Sequence, residues 1–77
     1  MKRKTFGDLR KMSKMSATQT AKKLGISESA YRKYECSNRL PPIPIVIKML
    51  QTYQCSAEDL LEACEFHNTV RKFRKDN

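Results

Sequence analysis

Residues 16–37 read SATQTAKKLGISESAYRKYECS, and the reading of this stretch decides the fold. Ser16 followed three residues later by Gln19 is a capping-box pattern, in which a hydroxyl and an amide each satisfy a backbone N–H at a helix start. Gly25, one of two glycines in the chain, follows Leu24 at a point where a helix that must stop needs a residue free to take positive φ. Ser27 can then cap a second helix. Ala21 leaves room for a close crossing, and Leu24, Ile26, Tyr31 and Tyr34 supply apolar contacts on the inner side. The spacing predicts a helix, a tight turn and a second helix.

The second of these helices has two faces. Tyr31 and Tyr34 point inward, while Glu28, Ser29, Arg32, Lys33 and Cys36 share one outer stripe at helical spacing. An Arg, a Lys, a Ser and a carboxylate on one exposed helix are groups that can read base edges in a major groove. A plain solvated face has the same composition, and charge is what separates the two readings. The net charge is +8. Residues 1–39 hold eleven Lys/Arg against Asp8, Glu28 and Glu35, whereas residues 40–77 hold five of each sign. The whole excess lies in the half that carries the polar stripe, which is the footprint of a polyanionic partner.

Working outward, residues 1–5 form a basic arm able to touch phosphates. A helix from Phe6 to Lys14 follows Thr5 as cap with Asp8 at the third position. Phe6 and Leu9 face inward, and Met12 and Met15 complete the contact with the motif. Arg10 borders the buried face and needs a carboxylate, for which Glu35 is available. The segment 38–42 contains Pro41 and Pro42 and cannot be helical; Asn38 and Arg39 there suit phosphate or a plain loop equally. A fourth helix opens with Pro44 in its first turn and runs to Tyr53. Its spacing predicts a core stripe of Ile43, Val46, Ile47, Leu50 and Tyr53, with Ile45 and Met49 to one side. Ser56 and Asp59 open a fifth helix, whose Leu60, Leu61 and Cys64 close the core. The domain is expected to span residues 6–64. In the basic amphipathic tail, 65–77, Phe66, Val70 and Phe73 form a second apolar stripe, favouring a dimerisation helix over a membrane-surface element or a strap on the domain's own core.

A chain of 77 residues supports one domain with a modest core. No apolar run approaches the roughly 20 residues of a membrane span, so no membrane partner is expected, and the expected location is cytoplasmic, with the nucleoid. Cys36, Cys55 and Cys64 lack metal-ligand spacing and read as structural thiols. His67 has no nucleophile or orienting carboxylate beside it, so neither catalysis, metal, cofactor nor small-molecule ligand is expected.

The pattern Leu9-Arg10, Met15-Ser16-Ala17, Ala21, Leu24-Gly25-Ile26-Ser27, Glu35-Cys36-Ser37 and Pro41 resembles the phage repressor and Cro family of helix-turn-helix regulators, also called the xenobiotic-response-element family. The resemblance covers nearly all of residues 6–61. It implies an all-α, five-helix, lambda-repressor-like domain that binds a palindromic operator in double-stranded DNA as a homodimer, whether or not the dimer forms off DNA. It implies base contacts from Glu28, Ser29, Arg32 and Lys33, phosphate contacts from Ser16, Ala17, Ser27, Asn38 and Arg39, and a structural ion pair between Arg10 and Glu35. Two departures stand out. Ala17 replaces the family's Gln, leaving only a backbone N–H for phosphate there, and Ser37 replaces the Gly that ends the third helix, so Asn38 is expected to take the left-handed turn. An antitoxin or anti-repressor acting through protein contacts, and a restriction-modification controller, are the alternatives. Of the DNA contacts, Arg32 is expected to pair with guanine and Glu28 to accept from cytosine N4.

Overall fold

The computed structural model describes residues 4–75, and these form five helices in the order α1 (Phe6–Met12), α2 (Ala17–Leu24), α3 (Glu28–Glu35), α4 (Ile43–Tyr53) and α5 (Ala57–Lys75). The first three residues, most of the expected basic arm, lie outside the described residues, as do the last two of the tail. Each early helix starts on a hydroxyl cap. Thr5 with Asp8 and Ser16 with Gln19 form reciprocal capping boxes, and Ser27 accepts from the Ala30 N–H at 3.1 Å.

The ends of α1, α2 and α3 share one device. After each helix a residue turns left-handed: Lys14 (φ 59°), Gly25 (φ 74°) and Ser37 (φ 63°). The next N–H then reaches back five residues, Met15 to Arg10, Ile26 to Ala21 and Asn38 to Lys33, at 3.3, 3.0 and 2.9 Å. This is the Schellman arrangement, which satisfies carbonyls that a helix end otherwise leaves open. Ser37 itself adopts the left-handed turn, so the expectation that Asn38 takes it is corrected. Its side chain is buried and bonded to His67 at 2.6 Å, which offsets the strain of a non-glycine residue at positive φ. Helix α1 ends two residues before the expected Lys14 for the same reason.

The core is built from Phe6, Leu9, Ala21, Leu24, Tyr31, Tyr34, Met49, Tyr53, Leu60 and Ala63. Helix α2 packs on α3 and α4, and α1 touches α3, α4 and α5. Two buried hydroxyls pair across the interior, Tyr31 with Tyr53 at 2.6 Å, so neither phenol is left unsatisfied.

The register of α4 differs from the sequence expectation. Met49 and Tyr53 are buried, with Ile45, Val46 and Leu50 packed beside them. Ile43 and Ile47, expected in the core, are 71% and 55% exposed. Helix α4 is apolar almost all round, so several stripes fit a 3.6-residue period and the neighbours decide which turns inward. Leu61 and Met12 are likewise exposed rather than buried; Ala63, one helical step on from Leu60, takes the inward place in α5. Helix α5 runs unbroken through residues 64 and 65, and His67 just beyond is 1% exposed. His67, in the first turn of the expected tail, is thus buried with the domain.

Candidate nucleic-acid interface

The left-handed Gly25 turn sets α3 across α2. Ile26 is half-buried beneath the turn, Thr20 is fully buried with its hydroxyl donating to the Ser16 carbonyl at 2.9 Å, and Tyr31 and Tyr34 anchor the inner side of α3. With that side fixed, helical periodicity turns Ser29, Arg32, Lys33 and Cys36 to solvent, and all four are exposed. Together with Glu28 and Asn38 they line a shallow, open concavity along the outer side of α3.

The stripe is internally ordered. Arg32 Nε donates to Glu28 Oε2 at 2.7 Å, and the Thr18 hydroxyl, from the first turn of α2, donates to Glu28 Oε1 at 2.6 Å. The Thr18 hydrogen bond, and after it that of Arg32, holds the Glu28 carboxyl below the ordinary carboxylate range. Thr18 had not been singled out in the sequence. Its signal would have been its place one residue past Ala17, on the edge of α2 nearest the start of α3.

The residues assigned to phosphate separate into two groups. Ser16 and Ser27 are exposed at the helix starts, but their oxygens accept from the N–H groups of Gln19 and Ala30; each hydroxyl hydrogen remains to donate outward. Ala17 is buried, so only its backbone can contribute. Asn38 and Arg39 are exposed in the loop after α3, adjoining the concavity.

Behind the stripe, Arg10 and Glu35 form an ion pair. Arg10 Nε donates to Glu35 Oε2 at 2.6 Å and its Nη1 to the Met15 carbonyl at 3.0 Å. The bond to Glu35 raises the guanidinium's affinity for its proton. The pair ties α1 to the last residue of α3. Lys4 bonds Asp59 at 3.1 Å. By contrast Lys11, Lys14, Lys22, Lys23, Lys33 and Arg39 are exposed, and none takes a carboxylate among the described residues. Most of the unneutralised positive charge is therefore carried by α1 to α3 and the loops that flank them; Lys48 on α4 and Lys72 on α5 are also exposed.

Of the three residues expected to dimerise, Phe66 packs edge-on against His67 with ring centroids 5.3 Å apart, Val70 is half-buried, and Phe73 is exposed. A different apolar surface is more open. Ile43 and Leu61 border a groove with Leu40, Pro41, Val46 and Cys64, between the start of α4 and α5.

Among the described residues no helix is long and apolar enough to cross a membrane. No group of three or more His, Cys, Asp and Glu side chains is placed to hold a metal ion there. The sequence model of a family described as "Helix-turn-helix" matches residues 7–60. The chain is 34% identical over 53 residues to an uncharacterized HTH-type transcriptional regulator, YobD, of Bacillus subtilis (strain 168), a match covering 69% of this chain and 47% of that protein. The chain thus spans about half the length of the curated relative it matches. No solved structure matches the chain significantly.

Proposed function

The chain belongs to the helix-turn-helix family of the phage repressor and Cro type, and from that premise we propose that it is a sequence-specific DNA-binding transcriptional regulator. The observation that carries this reading is the outer side of α3, where Ser29, Arg32 and Lys33 are exposed on a helix fixed from behind, in the half of the chain that holds the net positive charge. The major groove admits such a helix, and Arg32 and Lys33 are the side chains long enough to reach guanine O6 and N7. Exposed Lys22, Lys23, Arg39 and the hydroxyls of Ser16 and Ser27 supply phosphate contacts that set the register without reading sequence.

The regulator binds a palindromic operator as a dimer, one α3 per half-site, about one helical turn apart. Exposed Ile43, Ile47 and Leu61 support a second copy of the chain as the occupant of the apolar face. That face adjoins Leu40 and Pro41, directly after the Asn38–Arg39 loop, so a copy seated there stands beside the same duplex. Phe73 is the tail residue available to extend the contact. The finer assignment, a repressor or Cro-like protein of a phage or mobile element, rests on the family pattern.

The second reading, an antitoxin-like protein-interaction module, draws on the same apolar face. Salt distinguishes them. DNA binding that neutralises six phosphates loses about three decades of affinity between 50 and 200 mM salt, whereas apolar association is nearly indifferent. Fluorescence anisotropy of labelled duplex across that range is the test. Absence of binding even at 50 mM contradicts the DNA-binding reading.

A further inference from the structure

We propose that Thr18 and Glu28 are positioning residues for Arg32, and that the three side chains act as one guanine-reading unit in which only Arg32 touches the base. The inference rests on the DNA-binding reading above and departs from the expectation that Glu28 itself reads cytosine.

Three features of the geometry carry it. First, both Glu28 oxygens are engaged inside the protein: Oε1 accepts from the Thr18 hydroxyl at 2.6 Å, and Oε2 accepts from Arg32 Nε at 2.7 Å, with Nη2 also 2.7 Å away. A carboxylate so occupied is poorly placed to accept from a cytosine amine. Second, the Glu28 contact uses the Nε side of the guanidinium. The opposite end, Nη1 with the outer hydrogen of Nη2, keeps two parallel donors, the fork that matches guanine O6 and N7. Third, the anchor comes from another helix. An i, i+4 pair on one exposed helix is weak and mobile; here Thr18 on α2 also holds the carboxylate, so the direction of Arg32 is fixed by the α2–α3 crossing as well as by α3.

Charge points the same way. Arg32 and Glu28 neutralise each other, so the pair adds little to general attraction for DNA, which falls to Lys33, Arg39 and the lysines of α2. Freed from Glu28, Arg32 becomes one more mobile cation able to settle on any phosphate. Loss of the positioning residues is therefore expected to lower discrimination while leaving affinity for random DNA the same or slightly higher.

The experiment compares wild type with Arg32→Ala, Glu28→Gln, Thr18→Val and Thr18→Ser, each checked for an unchanged helical melt, in selection from a random duplex pool followed by competition with single-base operator variants. The side chains of Thr18 and Arg32 are exposed and that of Glu28 is 40% exposed, so folding is expected to survive. Arg32→Ala is expected to lose about tenfold or more in preference for guanine at one base pair of each half-site. Glu28→Gln and Thr18→Val are expected to lose preference at that same base pair without reducing the salt dependence, and Thr18→Ser, which keeps the hydroxyl, to restore it. Two results overturn the proposal: Glu28→Gln changing preference at a different base pair, which makes Glu28 a reader in its own right, or Glu28→Gln and Thr18→Val leaving every preference intact. Wild type that binds no duplex, or all duplexes alike, fails in the first arm and overturns the DNA-binding reading itself.

Discussion

Replacing His67 by Phe keeps a ring in the centre of the domain and removes what the ring holds. In the wild type, His67 Nε2 accepts the Phe6 backbone N–H at 3.1 Å, and Nδ1 meets the Ser37 hydroxyl at 2.6 Å. An Nε2 that accepts carries no proton, so the network assigns the neutral tautomer with hydrogen on Nδ1, donating to Ser37. The ring also stacks on Phe6 with centroids 4.3 Å apart. His67→Phe leaves the Phe6 N–H and the Ser37 hydroxyl buried without partners, about 1–3 kcal/mol each. Against a total stability of about 4–12 kcal/mol for a domain this size, a loss of about 2–6 kcal/mol lowers the midpoint by about 10 °C or more. pH adds a second signature. Burial lowers the His67 pKa in the fold, and the nearby Glu35 charge opposes this only in part. The unfolded chain therefore binds a proton near pH 6.5 that the fold resists. Stability is fully present above that pH and falls as pH drops through it, by up to about 1.4 kcal/mol per pH unit. Ordinary carboxylates titrate near pH 4, which keeps the window between pH 5 and 7 distinct. Thermal and urea melts followed by helical circular dichroism, at constant ionic strength from pH 5 to 8, measure both effects. The gap between wild type and His67→Phe is expected to narrow as pH falls. A wild type indifferent to pH between 5 and 7, or a variant as stable as wild type at pH 7.5, refutes the reasoning.

Arg10→Met leaves Glu35 in a site where both side chains are more than four-fifths shielded; urea melts are expected to show a loss of about 2–4 kcal/mol, most of it recovered in Arg10→Met with Glu35→Leu. The two glycines are expected to respond with opposite signs in thermal melts. Gly7 lies within α1 and an added Cβ meets Glu35 Oε1 at an ordinary 3.6 Å, so Gly7→Ala stabilises by about 0.4–1 kcal/mol; at Gly25 an added Cβ meets only Lys48 Nζ, at 3.8 Å, but φ is +74°, so Gly25→Ala destabilises by about 1–2 kcal/mol. Leu61→Lys is expected to leave half-site affinity unchanged in electrophoretic mobility shifts and to weaken binding to the full operator by about tenfold or more, since it places a charge in the apolar face offered to a second copy.

The legible parts of the fold were those specified by local chemistry. The boxes at Thr5 and Ser16, the cap at Ser27 and the break at Gly25 each involve residues within five positions of one another, and the sequence spacing alone defines them. Which residues of α3 face outward followed from Tyr31 and Tyr34. The misread residues were those for which tertiary contacts choose among equal local options. Ile43, Ile47 and Leu61 sit on helices with apolar residues on several faces, and periodicity cannot rank those faces. His67 looked unattached because its partners lie 61 and 30 residues away, at the first helix and at the turn after the third. Ser37 was passed over for the left-handed turn because its buried bond to that same histidine was not visible. At the candidate site the stripe was readable, whereas the Thr18 link to Glu28 depends on the crossing of α2 and α3.

Helix α3 is expected to read sequence as one half of a symmetric pair. Selection from a random duplex pool at near-physiological salt, followed by sequencing of the bound fraction, tests it most directly. The expected result is a palindrome with half-sites about one helical turn apart and a guanine in each that disappears in Arg32→Ala. Recovery of unrelated sequences, bound only at low salt and unaffected by Arg32→Ala, would contradict it.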